Sequence, residues 1–276
     1  MAEAEPPLDL PAYFARIGFG DRAEAGIATL AALHARHAEA IPFENLAPFL
    51  GEPVRLDRAS LQDKLVTRRR GGWCFEQNLL FAQVLEAIGF PVRRLAARVR
   101  WNVPPGVIGP RSHMLMQVTI AGEPWIADVG FGGQTLTAPL RLVPHVEQPT
   151  PHETYRLLPE GTGFVLEARL ADAWNALYFF ELHEQQQADY EVSNWYLAHH
   201  PQSQFVNGII AARAATDRRH ALRNTRYAIH HRGGATERRE IASVAEFRDV
   251  LAGDFRIPLP DHPQLDERLA TLLSAR

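Results

Sequence analysis

The single cysteine of this chain is the residue whose position first suggests chemistry. Cys74 follows Gly71-Gly72-Trp73 and begins a segment with helical periodicity that should end at Gly89. Unpaired N–H groups and the dipole at a helix N-terminus favour an anion, and a thiolate is such an anion. The same N–H groups could stabilise an oxyanion on an attacked carbonyl. Spacing alone leaves a second interpretation open, in which Cys74 is a small buried apolar residue.

A nucleophilic thiol needs a base, and a predicted hairpin offers one. The chain has 12 histidines, so the presence of a histidine is no argument by itself. His113 opens a segment that runs to Ile120, and a two-residue turn at Ala121-Gly122 would lead into a strand ending near Asp128. In that register Asp128 lies diagonal to His113 on one sheet face, as a Cys–His–Asp triad requires. The alternative is that His113 is an exposed strand start and Asp128 a turn cap.

Composition narrows the class of protein. The chain has 276 residues, 46% hydrophobic and 22% charged, which is typical of a soluble globular protein with one large or two to three small domains. A formal net charge of -3 gives no general attraction to nucleic acid or to an anionic membrane. No apolar run is long enough to span a bilayer. One cysteine cannot form an internal disulfide, and residues 1–7 lack the regions of a signal peptide, so we expect a cytoplasmic protein.

Metal and nucleotide sites are not favoured by the sequence. His34 and His37 are spaced for one helix face and Glu44 follows them, but no second cysteine and no His-Glu-x-x-His run accompanies them. We therefore expect no bound metal. The stretch Gly130–Gly133 is not followed by a clear helix, which argues against a dinucleotide-binding loop.

The elements that must position these residues fall into three parts. To about residue 90 the chain reads as helices: one capped by Asp9 and ended by Gly18, one from Ile27 to about Glu39, and one from Cys74. The middle part, about 91–205, reads mostly as strands separated by proline-rich loops such as 103–106. The predicted strands are Arg93–Trp101, His113–Ile120, Trp125–Val129, Thr154–Leu158 and Gly163–Ala168.

The last part of the chain mixes both kinds of element. Asn224–His231 and Thr236–Ile241 should form a hairpin, and the capping box from Ser243 to Glu246 should open a helix that Gly253 can end. The basic run from Arg213 to Arg226 is interpreted as a solvated face. The alternative is that it holds the phosphates of a ligand.

Several segments together resemble the arylamine N-acetyltransferase family. Arg69–Asn78 resembles the nucleophile motif of that family, and Ile41–Leu46 resembles its upstream motif. Arg111–Met114 resembles the segment that contains the family's histidine, and Asp128–Gln134 the segment that contains its aspartate. A later stretch of the family resembles Tyr190–Tyr196 and His200–Phe205. The resemblance runs from about Tyr13 to about Gly208, and the final segment is less distinctive. Several motifs in the same order are far more specific than any one of them.

The resemblance implies an α+β fold with a papain-like cysteine-enzyme core. It implies a helical domain carrying the nucleophile at 1–90, a β-barrel domain carrying His and Asp at 91–205, and an α/β lid at 206–276. The helices, strands and mixed end expected from the residues agree with this order.

The resemblance also implies an activity, acetyl transfer from acetyl-CoA to the nitrogen of small aromatic amines or hydrazines. Cys74, His113 and Asp128 would be the catalytic residues, and an acetyl-cysteine would form in a ping-pong reaction. Acetyl-CoA would be a cosubstrate, with no tightly bound cofactor. The resemblance carries further residues over as well. The acceptor pocket would include Phe43, Phe131, Ser112 and Gly132, and CoA would contact Phe205, Trp101 and Gly132.

Some of these assignments have structural alternatives. Phe43 and Phe131 could be ordinary core residues. Glu44 and Arg70 are interpreted as structural, because the equivalent pair in the family ties the nucleophile loop to the first domain. Three rival functions remain open: an amide synthase or other acyltransferase on the same scaffold, a cysteine hydrolase in which water is the acceptor, and a non-enzymatic binding module. The sequence makes no prediction of oligomeric state or of the physiological acceptor.

Overall fold

The computed structural model describes residues 6–104 and 106–274. Residues 1–5, on which the expectation about a signal peptide mainly rests, lie outside the described residues, as does Pro105 in the predicted loop at 103–106. Among the described residues, no helix combines the length and apolar character needed to cross a membrane.

Helices dominate the chain up to residue 88. They are α1 (Leu10–Ile17), α2 (Ile27–Ala40), α3 (Leu46–Phe49), α4 (Arg58–Leu61) with a π-helical continuation (Gln62–Thr67), and α5 (Cys74–Ile88), with the short strand β1 (Phe43–Glu44) after α2. The signals for α1 are confirmed: the Asp9 carboxylate accepts from the N–H of Ala12, and Gly18 ends the helix at φ 67°. All residues of α5 up to Leu85 are buried, so this helix is the centre of the first hydrophobic core.

Strands between residues 92 and 181 form one antiparallel, eight-stranded sheet. They are β2 (Val92–Val99), β3 (Arg111–Ile120), β4 (Glu123–Ala127), β5 (Leu140–Arg141), β6 (Gln148–Pro149), β7 (Thr154–Glu160), β8 (Gly163–Leu170) and β9 (Ala173–Glu181), in the spatial order β5-β4-β3-β2-β9-β8-β7-β6. The Gln148 side chain in β6 accepts from the N–H of Arg141 at 2.8 Å and donates to its carbonyl at 3.0 Å in β5. The two edge strands are thereby joined, and the predicted barrel within an α+β fold is confirmed.

The turn that sets the register of the β3–β4 hairpin is the predicted one. Ile120 pairs with Glu123 and Val118 with Trp125, which leaves Ala121-Gly122 as a two-residue turn. Both turn residues have positive φ, 50° and 83°, as a tight hairpin turn of this type requires. In this register His113 and Asp128 lie on one face of the sheet, as the sequence predicts.

A second sheet contains the C-terminal strands and one strand from the N-terminal part. Its order is β1-β10-β11-β12-β13, with β10 (Ile210–Ala215), β11 (Arg218–Arg223), β12 (Arg226–His231) and β13 (Thr236–Glu240). The remaining helices are α6 (Gln187–His199), α7 (Gln204–Asn207), α8 (Val244–Asp249) with a π-helical continuation (Val250–Asp254), and α9 (Leu265–Ser274). The predicted hairpin β12–β13 and the capping hydroxyl of Ser243, which accepts from the N–H of Glu246, are confirmed.

Two sequence expectations differ from the structure. Helix α6 lies in a region expected to be mostly strands, because its buried face is short and partly polar (Tyr190, Asn194, Ala198) and gives a weak periodic signal. The basic run is not a solvated face throughout, since Arg213 is only 6% exposed and Arg219 only 2%. The predicted domain boundaries at residues 90 and 205 stay a prediction.

A buried ion pair connects β1 to the segment that precedes α5. The Arg70 guanidinium donates through Nε and Nη2 to Glu44 Oε1, at 2.9 and 2.7 Å, and Glu44 Oε2 accepts from the N–H of Leu46 at 2.6 Å. Burial raises the pKa of Glu44, but the positive charges of Arg70 and Lys64 and these hydrogen bonds outweigh it, so the pKa is lowered. Both partners are therefore charged.

Replacing Glu44 by Gln should destabilise the fold far more than replacing Glu160. The Glu44→Gln change leaves a buried guanidinium without its carboxylate, which costs about 3–5 kcal/mol. Glu160 pairs with Arg100 at the surface, with its side chain 50% exposed, and Glu160→Gln should cost about 0–1 kcal/mol. Urea unfolding of both variants measures the free energies. Equal losses would contradict the structural role of the Glu44–Arg70 pair.

Candidate active site

The turn before α5 fixes the position of Cys74. Gly72 donates to the carbonyl of Pro42 and accepts from the N–H of Glu44, both at 3.2 Å. A Cβ on Gly71 would lie 2.2 Å from the same Pro42 oxygen, so this close approach requires glycine. Cys74 follows as the first residue of the helix. It is only 7% exposed, and its Sγ lies 3.6 Å from the carbonyl oxygen of Ser112.

The hairpin brings His113 and Asp128 into direct contact. His113 Nε2 donates to Asp128 Oδ2 at 2.7 Å, and the two residues are 2% and 0% exposed. Since Nε2 is engaged by the carboxylate, Nδ1 is the ring nitrogen left to face Cys74, whose Sγ contacts the carbonyl of Ser112, the residue before His113. The structure thus places the three residues predicted from the sequence next to one another, with a direct hydrogen bond between His113 and Asp128.

The Asp128 carboxylate is held by four donors. Oδ1 accepts from Asn78 Nδ2 and from the N–H of Gly130, each at 2.9 Å, while Oδ2 accepts from His113 and from the Tyr178 hydroxyl at 3.0 Å. Burial raises the pKa of Asp128, but the His113 charge and the hydrogen bonds outweigh it, so the pKa is lowered. The carboxylate therefore remains charged although it is out of contact with solvent.

The charge on Asp128 determines the protonation of His113. Burial lowers the pKa of His113, whereas the Asp128 charge and the hydrogen bonds to Asp128 and Cys74 raise it, with a net result of about 10. The ring is thus an imidazolium at neutral pH. A proton donor therefore lies beside Cys74 at neutral pH.

Asn78 is a member of the site that the sequence interpretation did not single out. It lies four residues after Cys74, so both side chains leave the same face of α5. Besides Asp128, its amide donates to the carbonyl of Met114 at 2.6 Å and accepts from the N–H of Val129 at 3.0 Å. Asn78 therefore connects the helix to β3 and to the loop that follows β4. The i, i+4 spacing from Cys74 is the signal that could have identified it.

Two further neighbours of Asp128 come from distant parts of the chain. Tyr178 lies in β9, which was not among the predicted strands, and no local signal marked it. His34 in α2 accepts from the backbone N–H of Asp128 through Nε2 at 3.2 Å. Burial lowers the pKa of His34 to about 4, so the ring is neutral and can accept this hydrogen bond. Among the described residues, no group of three or more His, Cys, Asp or Glu side chains is arranged to hold a metal ion.

Five of the six predicted pocket residues contact the triad residues or one another. The Phe131 ring packs 4.9 Å from the ring of His113, and Ser112 contacts Cys74 through its carbonyl. A Cβ on Gly132 would lie 3.5 Å from the Phe43 ring, whose centre is 6.4 Å from that of Phe205. Trp101 does not lie with the other five: its side chain packs against the core of the barrel, and its backbone N–H donates to the carbonyl of Leu177. The ligand contacts of all six stay predictions.

Nuclear magnetic resonance of the histidine rings should find His113 doubly protonated well above pH 6.5, about where an ordinary histidine loses its proton. Because the folded protein binds this proton more tightly than the unfolded chain does, protonation of His113 stabilises the fold. This contribution is complete below pH 6.5 and is lost as the pH rises through about 10. His34, with a pKa of about 4, should stay neutral throughout and serves as the internal comparison. A His113 titration midpoint near 6.5 would contradict the charge assignment.

The loop after β4 approaches α5 so closely that one position tolerates only glycine. A Cβ on Gly130 would lie 2.8 Å from Cys74 Cα and 2.8 Å from Asn78 Nδ2. Gly130→Ala should therefore displace the loop, lower the melting temperature and reduce turnover. At Gly133 the nearest atom to an added Cβ is the Ala221 Cβ at 4.0 Å, so Gly133→Ala is the matched control. Identical melting and activity of the two variants would refute the close-approach argument.

Comparisons with known proteins point to one family over nearly the full chain. A family model described as N-acetyltransferase matches residues 26–264. The arylamine N-acetyltransferase of Escherichia coli (strain K12) is 44% identical over 266 residues, which cover 95% of this chain and 94% of that protein. The solved structure of arylamine N-acetyltransferase from M. tuberculosis is 44% identical with a TM-score of 0.92, covering 96% of this chain and all of the other. The Mycobacterium marinum arylamine N-acetyltransferase in complex with CoA is 42% identical, with a TM-score of 0.92 and coverage of 96% and 99%.

Proposed function

This chain belongs to the arylamine N-acetyltransferase family, and on that premise we propose that it transfers an acetyl group from acetyl-CoA to the nitrogen of arylamines or arylhydrazines. The observation that carries the proposal is the 2.7 Å hydrogen bond between Asp128 and His113 beside Cys74, which lies at a helix N-terminus. A relative solved with CoA supports the choice of donor.

The first half-reaction starts from a thiolate and an imidazolium. Cys74 Sγ attacks the thioester carbonyl carbon of acetyl-CoA, and N–H groups in the first turn of α5 stabilise the oxyanion that forms. The bond between the carbonyl carbon and the CoA sulfur then breaks. CoA leaves as a thiol because the His113 imidazolium gives up its proton. The products are acetyl-Cys74, free CoA and a neutral imidazole.

The second half-reaction restores the starting charges. The amine nitrogen attacks the carbonyl carbon of acetyl-Cys74, and the neutral His113 accepts a proton from the nitrogen. The bond to Cys74 Sγ breaks, and the thiolate leaves beside the imidazolium that has just formed. Because one thioester replaces another in the first step and the amide forms only in the second, the order is ping-pong.

Asp128 has an orienting and an electrostatic role in this scheme. Its hydrogen bond to Nε2 directs Nδ1 of His113 toward Cys74, and its charge stabilises the imidazolium present before the first step and after the second. Phe131, whose ring packs edge-on against His113, offers an apolar wall for an aryl acceptor next to the base. The low exposure of Cys74 disfavours water as a competing acceptor.

Intact-mass spectrometry of the protein mixed with acetyl-CoA tests the proposal. We expect a gain of one acetyl group, which is lost when hydralazine or an aniline is added. Cys74 is the single cysteine of the chain, so Cys74→Ala removes the only thiol. That variant should take up no acetyl group and should lose on the order of 10⁴-fold or more in turnover, as expected for loss of a catalytic nucleophile. Near-normal turnover by Cys74→Ala or Cys74→Ser would overturn the mechanism.

The same assay separates the rival functions. Release of CoA that does not depend on added amine would indicate a hydrolase. A strong preference for longer thioesters over acetyl-CoA and propionyl-CoA would indicate an amide synthase or another acyltransferase. A protein with no thiol-dependent turnover and no acetylated Cys74 would be a binding module.

A further inference from the structure

Arg219 is a buried cation that lies between the two sheets. It is in β11, where it pairs across the strands with Ala214 and His230. Leu222 points to the opposite face of β11, into the core beneath α8 and α9. Ala221, on the same face as Arg219, lies against Gly133 of the loop after β4. The Arg219 side chain is 3% exposed and therefore directed at the barrel rather than at solvent.

The Arg219 guanidinium makes two kinds of contact with the barrel. Nε donates at 2.8 Å to Oε1 of Glu153, the residue that precedes β7. Nη2 donates to the carbonyl of Thr135 at 2.9 Å, at the end of the loop. The Tyr155 hydroxyl donates to Glu153 Oε2 at 3.0 Å and fixes the carboxylate. One planar cation therefore joins β11, the start of β7 and the loop that carries Phe131.

Thr135 passes this contact on to the candidate active site. Its hydroxyl donates to the carbonyl of Asp128 at 3.2 Å and accepts from the N–H of Phe131 at 3.3 Å. The hydroxyl thus closes the loop from Asp128 to Thr135, while Arg219 holds the carbonyl of the same residue. The backbone of Phe131 is positioned by Thr135, and Thr135 is positioned by Arg219.

We propose that Arg219 is a positioning residue for the acceptor side of the site: it holds Phe131 against His113 through Thr135. The Asp128 carboxylate has its own donors in Asn78, Gly130 and Tyr178, none of which contacts Arg219. Three of the four donors to that carboxylate, Asn78, His113 and Tyr178, lie outside the loop, so loss of Arg219 displaces the aromatic wall while the hydrogen bond between His113 and Asp128 stays in place. The kinetic part of this inference rests on the proposed function.

A second link keeps the two sheets together when Arg219 is changed. His152 Nε2 donates to the carbonyl of Ala215 at 2.7 Å, and its Nδ1 accepts from the Thr137 hydroxyl at 3.2 Å. Burial and the nearby Arg219 charge lower the pKa of His152, which keeps the ring neutral as these two hydrogen bonds require. The junction between β10 and the barrel thus does not depend on Arg219 alone.

The kinetic test compares Arg219→Gln with Arg218→Gln. Arg218 is the adjacent arginine of β11, on the opposite face, paired at 2.7 Å with its neighbour Asp217. For Arg219→Gln we expect the KM for the amine to rise roughly fivefold to tenfold, since a small misplacement of a positioning group has effects of this size or larger. The rate of acetyl-enzyme formation should change by less than about twofold, and Arg218→Gln should match the native protein. Equal losses in both half-reactions, or no difference from the control, would overturn the inference.

Amide hydrogen exchange supplies a readout that needs no activity. Residues 129–136 should exchange faster in Arg219→Gln than in the native protein or in Arg218→Gln. If the native protein forms no acetyl-enzyme, the proposed function fails, and the exchange result still decides whether Arg219 holds the loop. Unchanged exchange would reject that role.

Arg219→Lys keeps the test decisive if Arg219→Gln does not fold. A lysine retains the charge beside Glu153, but a single ammonium does not reproduce the forked contact with both the carboxylate and the Thr135 carbonyl. We expect a near-native melting temperature with an intermediate KM and intermediate exchange. A native KM and native exchange in this variant would also overturn the inference.

Discussion

The ionised carboxylate of Asp128 is the group on which the arrangement of the site depends. A charge removed from water is costly unless hydrogen bonds and an opposite charge replace its hydration. Asp128 is fully buried, and its four donors come from α5, the loop after β4, β3 and β9. The helical part and the barrel must therefore both be in place for Asp128 to stay charged once it is buried. Once it is charged, the His113 ring is held as an imidazolium.

Helix α5 links this electrostatic centre to the hydrophobic core. Its first residue is Cys74, Asn78 reaches Asp128 one turn later, and the rest of the helix to Leu85 is buried in the largest core cluster. Glu76 in the first turn accepts from the N–H of Trp73 and pairs with Lys64 at 2.7 Å. The same helix thus supplies the proposed nucleophile Cys74, a hydrogen-bond donor to the Asp128 carboxylate, and the packing that keeps both in place. A substitution within its buried face should consequently affect stability and chemistry together.

The sequence predicted the features that depend on short-range patterns. The cap at Asp9, the stop at Gly89, the Ala121-Gly122 turn and the N-cap hydroxyl of Ser243 depend on residues close together in the chain, and the structure confirms each. The capping box predicted at Ser243 is only half formed, because the Glu246 carboxylate accepts from the N–H of Ala242 instead of that of Ser243. The register of one hairpin made it possible for His113 to lie beside Asp128, and the resemblance to the family favoured this placement over an exposed strand start and a turn cap. The resemblance to the family then identified Cys74 as their partner, because nothing local connects Cys74 to that hairpin.

The sequence did not predict contacts made by residues far apart in the chain. Tyr178 and His34 reach Asp128 from β9 and α2, respectively 50 and 94 residues away in the chain. Arg219 was interpreted as part of a solvated basic run, since the alternation of exposed and buried arginines in β11 is invisible without its neighbouring strands. Helix α6 lacked a long apolar face. In each case the decisive partner lies in another element, and sequence spacing carries no information about it.

Three largely buried ion pairs lie next to backbone segments of the site, and the energetics of such pairs indicate whether they contribute stability or geometry. The pairs are Glu44–Arg70 below the glycine turn, Lys64–Glu76 at the start of α5, and Glu153–Arg219 behind the loop of Phe131. Desolvation offsets most of the attraction within such pairs, so apolar residues of similar volume would often stabilise a fold as well or better. Apolar contacts, however, are non-directional, whereas the hydrogen bonds within these ion pairs constrain both distance and angle. Each pair holds a backbone segment next to Cys74, Asp128 or Phe131. Their contribution is therefore geometric: they hold in one arrangement the three segments whose alignment the proposed acetyl transfer requires.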